Sequence, residues 1–268
     1  MDSSFTNNSR GSPRVFICRH GETEWSLNGR HTGDSRVTKL MAGRTDLPLT
    51  KNGVRRMQEA AKALVGEDRL ITSSTICQIF VSPRKRARQT LGILGLPDSI
   101  PVEETQALAE WDYGDYEGVT TEEIKKSRPN GKWDIWIDGC PGGESPQDVS
   151  ERVDGLIRKI REIHKKALKE DVCGDVLLVA HAHILRSFSA RWLVEPVSGG
   201  RHLLLDAGGV GVLTYILGRK LMIDTSITIL MSLQLIVGMS QMVYPGMAEL
   251  IVGKGIGPII SRPTAPIC

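Results

Sequence analysis

The chain has few cysteines, and none of them is arranged as in a metal site or a disulfide framework. Its 268 residues include five scattered cysteines, an odd number, with no Cys-x-x-Cys pair. No Cys/His group has the spacing of a zinc site. This pattern is typical of free thiols in a reducing compartment. We therefore expect no structural metal and a cytoplasmic location, with the nucleus left open.

The chain also lacks strong net charge and an apolar leader. A net charge of +3 is too small to indicate nucleic acid as a partner. Residues 1–14 are rich in Ser, Asn, Gly and Arg and contain no apolar core, so they predict a disordered arm instead of a secretory signal. Residues 225–248 carry no charge and are long enough to span a bilayer, but Ser and Gln interrupt them. A membrane anchor is therefore the less favoured interpretation of this apolar tail.

Short apolar runs alternate with helical patterns between residues 15 and 215. Val15–Arg19, Gln78–Ser82 and Val176–His181 have the composition of buried parallel strands. Thr50 is placed to begin one helix, and a second is predicted over Pro146–Lys169 with Ser145 and Asp148 as its capping box. In this second helix His164 is expected to be solvated. The alternation predicts an α/β fold.

The first predicted strand ends in the sequence Arg19-His20-Gly21-Glu22-Thr23. The carboxyl ends of parallel strands form the edge of a sheet where ligands bind. Arg19 offers a planar fork of donors for phosphate oxygens, and Gly21 allows the backbone to approach a ligand closely. A single histidine in this place is usually structural, so the motif alone only suggests a site.

Positive charge follows the second and third strands as well. Four cations lie among the five residues 84–88, at the start of a predicted helix. Taken alone, they equally indicate a solvated cluster, a nuclear-import signal or an RNA-binding patch. Their position at a helix amino terminus favours a phosphate site. His181 and Arg186 follow the third strand and add a second imidazole and another guanidinium to the same edge.

Glu110 lies in a stretch of acids and aromatics that glycines bound, at residues 108–118. Most such carboxylates are solvated. Beside a nucleophilic imidazole, however, a carboxyl group could protonate a leaving alkoxide and then deprotonate a water molecule. These are the two proton transfers that hydrolysis of a phosphate ester requires.

Together these motifs resemble the histidine phosphatase superfamily, also called phosphoglycerate-mutase-like. They are Arg-His-Gly-Glu-Thr at 19–23, Ser-x-x-x-Arg-Ala-x-x-Thr at 82–90, the Glu110 segment and the late His181, in the order typical of the family. In detail the chain most resembles the fungal sedoheptulose-1,7-bisphosphatase family, through the segments at 110–118, 133–140 and 205–215. The resemblance implies a three-layer sandwich, with helices on both faces of a mostly parallel sheet.

The resemblance also implies roles for individual residues. It makes His20 the nucleophile and Glu110 the acid and base of a phosphatase without a cofactor or a metal. The substrate is expected to be a small anionic phosphorylated metabolite, such as a sugar bisphosphate. The phosphoryl oxygens would be bound by Arg19, Arg86 and His181. The pocket would be lined by Thr23, Thr32 and Gly33, with Arg84 or Arg88 for a second phosphate and His31 within reach of the substrate.

The chain departs from the family pattern in three places. Residues 34–43 form a polar insertion within the domain predicted for 15–215, Ala182 replaces the usual glycine, and an apolar tail spans 216–268. One alternative is a phosphoglycerate mutase, against which Asp112 and Asp115 argue mildly. A second alternative is an inactive or membrane-tethered member of the family. The sequence leaves open whether the chain forms a homo-oligomer.

Overall fold

A six-stranded sheet forms the centre of the molecule. The computed structural model describes residues 12–29, 31, 46–216 and 230–236. The strands lie in the order β3-β2-β4-β1-β5-β6, where β1 to β4 are parallel, β5 runs antiparallel to β1, and β6 runs antiparallel to β5. Their bounds are β1 Val15–Arg19, β2 Ile76–Val81, β3 Val102–Glu104, β4 Asp175–Ala180, β5 Val210–Ile216 and β6 Leu230–Ile236.

Helices cover both faces of this sheet. The described part contains α1 Glu24–Asn28, α2 Lys51–Leu64, α3 Lys85–Leu94, α4 Thr121–Ser127, α5 Ile135–Asp138, α6 Pro146–Glu170 and α7 Ala182–Trp192. Successive side chains of a strand point to opposite faces, so Val15 and Ile17 pack with α6 and α7, whereas Phe16 and Cys18 pack with α2 and α3. The expected α/β three-layer sandwich is confirmed.

The predicted helix starts agree with the structure. The Thr50 hydroxyl accepts a hydrogen bond from the Gly53 N–H at the start of α2. Ser145 and Asp148 form a reciprocal capping box at the start of α6. The second and third predicted strands are each shifted by one or two residues, so Ser82 and His181 follow β2 and β4 directly. That shift places both side chains at the carboxyl edge of the sheet.

The expectation that His164 is solvated was wrong. Its side chain is buried on the inner face of α6, and its Nδ1 lies 2.7 Å from the Tyr215 hydroxyl of β5. The residue stands four positions after Ile160, so helical periodicity places it on the apolar stripe. The hydrogen bond with Tyr215 offsets part of the free-energy cost of burying this imidazole.

Two chain segments differ from the expected domain organisation. Arg14 was assigned to the amino-terminal arm, but its guanidinium forms a salt bridge of 2.6 Å with the Asp175 carboxylate. Residues 1–11 lie outside the described residues. The apolar tail contributes β6. The residues that the structure describes do not include 217–229 and 237–268 of this tail, or the insertion at 34–43. In the part of the chain that the structure describes, no helix is both long and apolar enough to cross a bilayer.

Ala182 does not strain the chain. It is the first residue of α7, and its φ is not among the positive values of the described residues. The glycine usually found at this position is therefore not required for the backbone conformation in this chain.

Candidate active site

Three loops at the carboxyl edge of the sheet bring together His20, Arg86 and His181. The Arg86 Nε–H donates to His20 Nε2 at 3.3 Å and to His181 Nδ1 at 3.1 Å. The two imidazole ring centroids are 5.0 Å apart in an edge-to-face arrangement. All three side chains are buried, although they lie far apart in the sequence. The predicted group of one guanidinium and two imidazoles is therefore present.

The ring of His20 is held in one orientation. Its Nδ1 lies 2.7 Å from the carbonyl oxygen of Gly21, so we assign the proton to Nδ1 as the donor. Burial first, and then the guanidinium groups of Arg86 and Arg19, hold the pKa of His20 well below its usual value. The imidazole is consequently neutral at pH 7. Its Nε2 lone pair is available for attack on phosphorus.

His181 is oriented by Ser82. Its Nε2 lies 2.6 Å from the Ser82 Oγ, while its Nδ1 accepts the hydrogen bond from Arg86. Burial and the neighbouring Arg86 hold the pKa of His181 well below its usual value. Ser82 is thus a positioning residue that fixes the second imidazole. Its sequence signals were its place at the end of the second predicted strand and its position as the first residue of the motif at 82–90.

Glu110 is buried at the amino terminus of α7. Its Oε1 accepts hydrogen bonds from the backbone N–H groups of Trp111 at 3.0 Å and Ile184 at 2.9 Å, and its Oε2 accepts one from His183 at 3.0 Å. Burial raises the pKa of this carboxyl group, while the three N–H donors and Arg86 oppose that rise. The side chain can therefore carry a proton and also stabilise the anion that forms when the proton leaves.

Arg19 is anchored at one end only. One Nη–H donates to the Leu205 carbonyl at 2.8 Å. The Nε is buried and has no hydrogen-bond partner among the described residues. A buried guanidinium N–H without a partner is costly, and an oxyanion would satisfy it. Arg19 therefore offers a donor to an anionic ligand.

The loop that carries His20 is supported by α2. Glu22 accepts hydrogen bonds from the Thr50 hydroxyl at 2.6 Å and from Asn52 at 2.9 Å, and these two bonds help to lower its pKa. A Cβ added to Gly53 would lie 2.3 Å from the Glu22 carbonyl oxygen. Helix and loop are therefore in direct backbone contact, and Glu22 has a structural role in the motif.

The remaining predicted site residues lie in several places. Thr23 is buried and caps α1 by accepting from the Ser26 N–H. Thr32 and Gly33 lie outside the described residues. Arg88 pairs with Glu104 at 3.2 Å on the surface, which directs it away from a second phosphate.

The other two candidates lie nearer to the site. Arg84 is the N-cap residue of α3. His31 packs at 4.6 Å against the Tyr113 ring, and its Nε2 is 3.1 Å from the Thr121 hydroxyl.

Acidic side chains have roles that the sequence did not indicate. Asp46 accepts a hydrogen bond from the Lys85 N–H at 2.7 Å, so an anion of the chain itself occupies the amino terminus of α3. Asp112 accepts from the Gly114 N–H, and Asp115 is directed toward Gly142. The argument from Asp112 and Asp115 against a mutase stays a prediction.

This arrangement can transfer a phosphoryl group to the Nε2 nitrogen of His20. It combines a neutral imidazole whose Nε2 carries no proton, guanidinium donors for the equatorial oxygens, and a carboxyl group that can give and take a proton. Among the described residues, no group of three or more His, Cys, Asp or Glu side chains is arranged to hold a metal ion.

Comparison with known proteins agrees with this chemistry. The family model described as Histidine phosphatase superfamily (branch 1) matches residues 15–226. A sedoheptulose 1,7-bisphosphatase of Saccharomyces cerevisiae is 36% identical over 248 residues, covering 76% of this chain and 88% of that protein. An acid phosphatase of Mycobacterium tuberculosis is 37% identical over 199 residues, covering 74% of this chain and 85% of that protein.

A solved structure shows the same fold. The product of a Mycobacterium tuberculosis open reading frame superposes with a TM-score of 0.63 at 32% identity. The match covers 85% of this chain and 97% of that chain.

Proposed function

Since this chain belongs to the histidine phosphatase superfamily and is a phosphoric monoester hydrolase, we propose that it hydrolyses a sugar bisphosphate through a phosphohistidine at His20. Sedoheptulose 1,7-bisphosphate is the first substrate to test, because a relative of 36% identity is named for it. The arrangement that supports the proposal is the Arg86 Nε–H held between His20 Nε2 and His181 Nδ1. An incoming phosphoryl oxygen would replace the two imidazole nitrogens as the acceptor of this N–H.

In the first step, His20 Nε2 attacks phosphorus and the bond from phosphorus to the ester oxygen breaks. Arg19 and Arg86 donate to the equatorial oxygens, where the transition-state charge is spread. His181 binds the third oxygen through an Nδ1–H, in the tautomer whose Nε2 accepts from the Ser82 hydroxyl. Glu110 gives its proton to the departing sugar oxygen, so that the product leaves as an alcohol. Glu110 is then a carboxylate, stabilised by its three backbone N–H donors.

In the second step, water attacks the phosphohistidine. Glu110 takes a proton from that water, the N–P bond breaks, and inorganic phosphate leaves. His20 is returned to its neutral form with Nδ1 donating to Gly21, and Glu110 is again protonated. The cycle is closed without any further reactant.

Two finer points belong to the proposal. We place the protein in the cytoplasm, with the nucleus as an outcome to be checked by imaging, on the basis of its scattered free cysteines. Light scattering would test for a homo-oligomer, which the site described above does not require because its residues come from one chain.

The test compares wild type with His20→Ala on sedoheptulose 1,7-bisphosphate, fructose 1,6-bisphosphate and 3-phosphoglycerate. We expect wild type to release inorganic phosphate from a bisphosphate, and kcat to fall by about 10⁴-fold in the variant. Rapid quenching at alkaline pH, followed by mass spectrometry, should find the phosphoryl group on the peptide that contains His20.

The same experiment separates the alternatives. A mutase would interconvert phosphoglycerate isomers and release little phosphate. An inactive member of the family would release phosphate equally slowly as wild type and as His20→Ala, and this result would refute the proposal. His202→Ala, which changes an exposed histidine, is the matched control and should retain wild-type rates.

A further inference from the structure

Glu110 has one oxygen position left for a proton. Each carboxylate oxygen has two lone pairs, and Oε1 uses both on the N–H groups of Trp111 and Ile184. Oε2 uses one on the His183 N–H. The proton that Glu110 gives to a leaving group is therefore carried on Oε2.

The imidazole of His183 lies next to that oxygen. Its Nδ1 is 4.0 Å from Glu110 Oε2 and 2.7 Å from the Tyr113 hydroxyl. Burial and the nearby Glu110 hold the pKa of Tyr113 well above its usual value, so the phenol keeps its proton. We assign the phenol as the donor in this hydrogen bond and His183 Nδ1 as the acceptor. The ring of His183 then carries its own proton on Nε2.

The surroundings of His183 favour the neutral ring. Burial lowers its pKa most, and Arg186 on its own helix, His31 and Arg19 act in the same direction. Among the described residues, the titratable side chains of Glu110 and Tyr113 also face it. The Trp136 ring packs against it with a centroid separation of 5.4 Å. Of these described neighbours, the Glu110 carboxylate is the one that would stabilise a charged His183.

We infer that the hydrogen bond from Tyr113 to His183 Nδ1 is a positioning device that keeps His183 from taking the catalytic proton of Glu110. With its Nδ1 lone pair occupied, the imidazole cannot accept a proton from Oε2. Without the phenol O–H, Nδ1 would be a buried acceptor without its donor, 4.0 Å from the Oε2 atom that carries that proton. The proton would move to Nδ1, and Glu110 would become a carboxylate paired with an imidazolium ion. This inference rests on the proposed role of Glu110 as the general acid.

The experiment compares wild type and Tyr113→Phe on two monoesters. The leaving group of p-nitrophenyl phosphate departs without protonation, whereas glycerol 2-phosphate leaves an alkoxide that needs the proton of Glu110. We expect kcat for glycerol 2-phosphate to fall by about tenfold more than kcat for p-nitrophenyl phosphate, because only the alkyl ester needs the proton of Glu110. The basic limb of the pH profile for glycerol 2-phosphate should shift to lower pH.

A second variant tests the direction of the effect. In Tyr113→Phe/His183→Gln, residue 183 keeps the backbone N–H that binds Glu110 but has no side chain that can be protonated. We expect this double variant to recover hydrolysis of glycerol 2-phosphate relative to Tyr113→Phe alone. Tyr116→Phe is the matched control, because its hydroxyl binds Arg128 at 3.0 Å and should not alter the ratio of the two substrates.

The outcomes separate this inference from the proposed function. If wild type hydrolyses neither these two esters nor the bisphosphates named above, the proposed function fails. If wild type hydrolyses both, and Tyr113→Phe changes the two rates equally with no shift of the basic limb, the function stands and the role of Tyr113 is refuted. Failure of the double variant to recover the alkyl ester would likewise overturn it.

Discussion

At the scale of single residues, Val194 carries local backbone strain. Its φ is +64°, a left-handed conformation that a β-branched residue rarely adopts, and its side chain is 72% exposed. It lies just beyond α7, where its N–H donates to the Arg191 carbonyl at 3.1 Å. Because glycine is the residue favoured in this position after a helix, the valine side chain costs stability without packing in return.

We predict that Val194→Gly raises the free energy of unfolding by about 1 kcal/mol, since relief of the strain exceeds the added entropy of the unfolded chain. Urea denaturation would measure this change in the free energy of unfolding. Val172→Gly is the control, because this valine is also half exposed but does not have a positive φ. The control should be less stable than wild type, and equal responses of the two variants would contradict the explanation.

At the scale of elements, the contact between α2 and the His20 loop determines the position of the nucleophile. Gly53 lies in the first turn of α2, and a methyl group there would meet the Glu22 backbone at 2.3 Å. The same loop is held by the Thr50 and Asn52 hydrogen bonds to Glu22. Helix and loop are therefore joined by a close backbone contact and two side-chain hydrogen bonds.

We predict that Gly53→Ala destabilises the protein by about 1–3 kcal/mol through overpacking, and that its kcat falls because His20 is displaced. Gly92→Ala in the exposed interior of α3 is the matched control, since no atom lies within 4 Å of the added methyl. Gly92→Ala should stabilise the protein by about 0.5–1 kcal/mol with unchanged kcat. Thermal denaturation and phosphate release would measure both effects, and a tolerated Gly53→Ala would show that the loop adapts.

At the scale of the whole molecule, buried neutral histidines make the fold sensitive to acid. Burial lowers the pKa of His164 to about 4 from 6.5, and the pKa values of His20, His181 and His183 are held well below 6.5. The unfolded chain binds more protons than the folded chain below pH 6.5. The stability is therefore fully present above pH 6.5 and falls as the pH falls toward 4.

We predict that His164→Gln reduces this pH dependence, because His164 alone accounts for about 3 kcal/mol between pH 6.5 and 4. The free energy of unfolding should be measured in urea at pH 7 and pH 5. His202→Gln, at an exposed position, should keep the wild-type slope. An unchanged slope in His164→Gln would show that other groups cause the acid sensitivity.

Much of the fold could be predicted from sequence pattern, because its signals are local. The start of α6 is determined by Ser145, Pro146 and Asp148 within four residues, and β1 by five consecutive residues with an apolar pattern. His164 shows where such reasoning fails. Its periodicity was visible, but its burial depends on Tyr215, which comes from a strand 51 residues later.

The sequence by itself determined the chemical groups of the site and the strand ends that carry them. It could identify His20, Arg86, His181 and Glu110, because each stands in a short motif with a local physical reason. Only the tertiary structure decided their protonation and orientation. The Gly21 carbonyl, the Ser82 hydroxyl and the Tyr113 phenol lie near their imidazoles through backbone turns and strand packing. A pKa depends on burial and on all nearby charges, so it is a property of the folded molecule and cannot be read from neighbours in the chain.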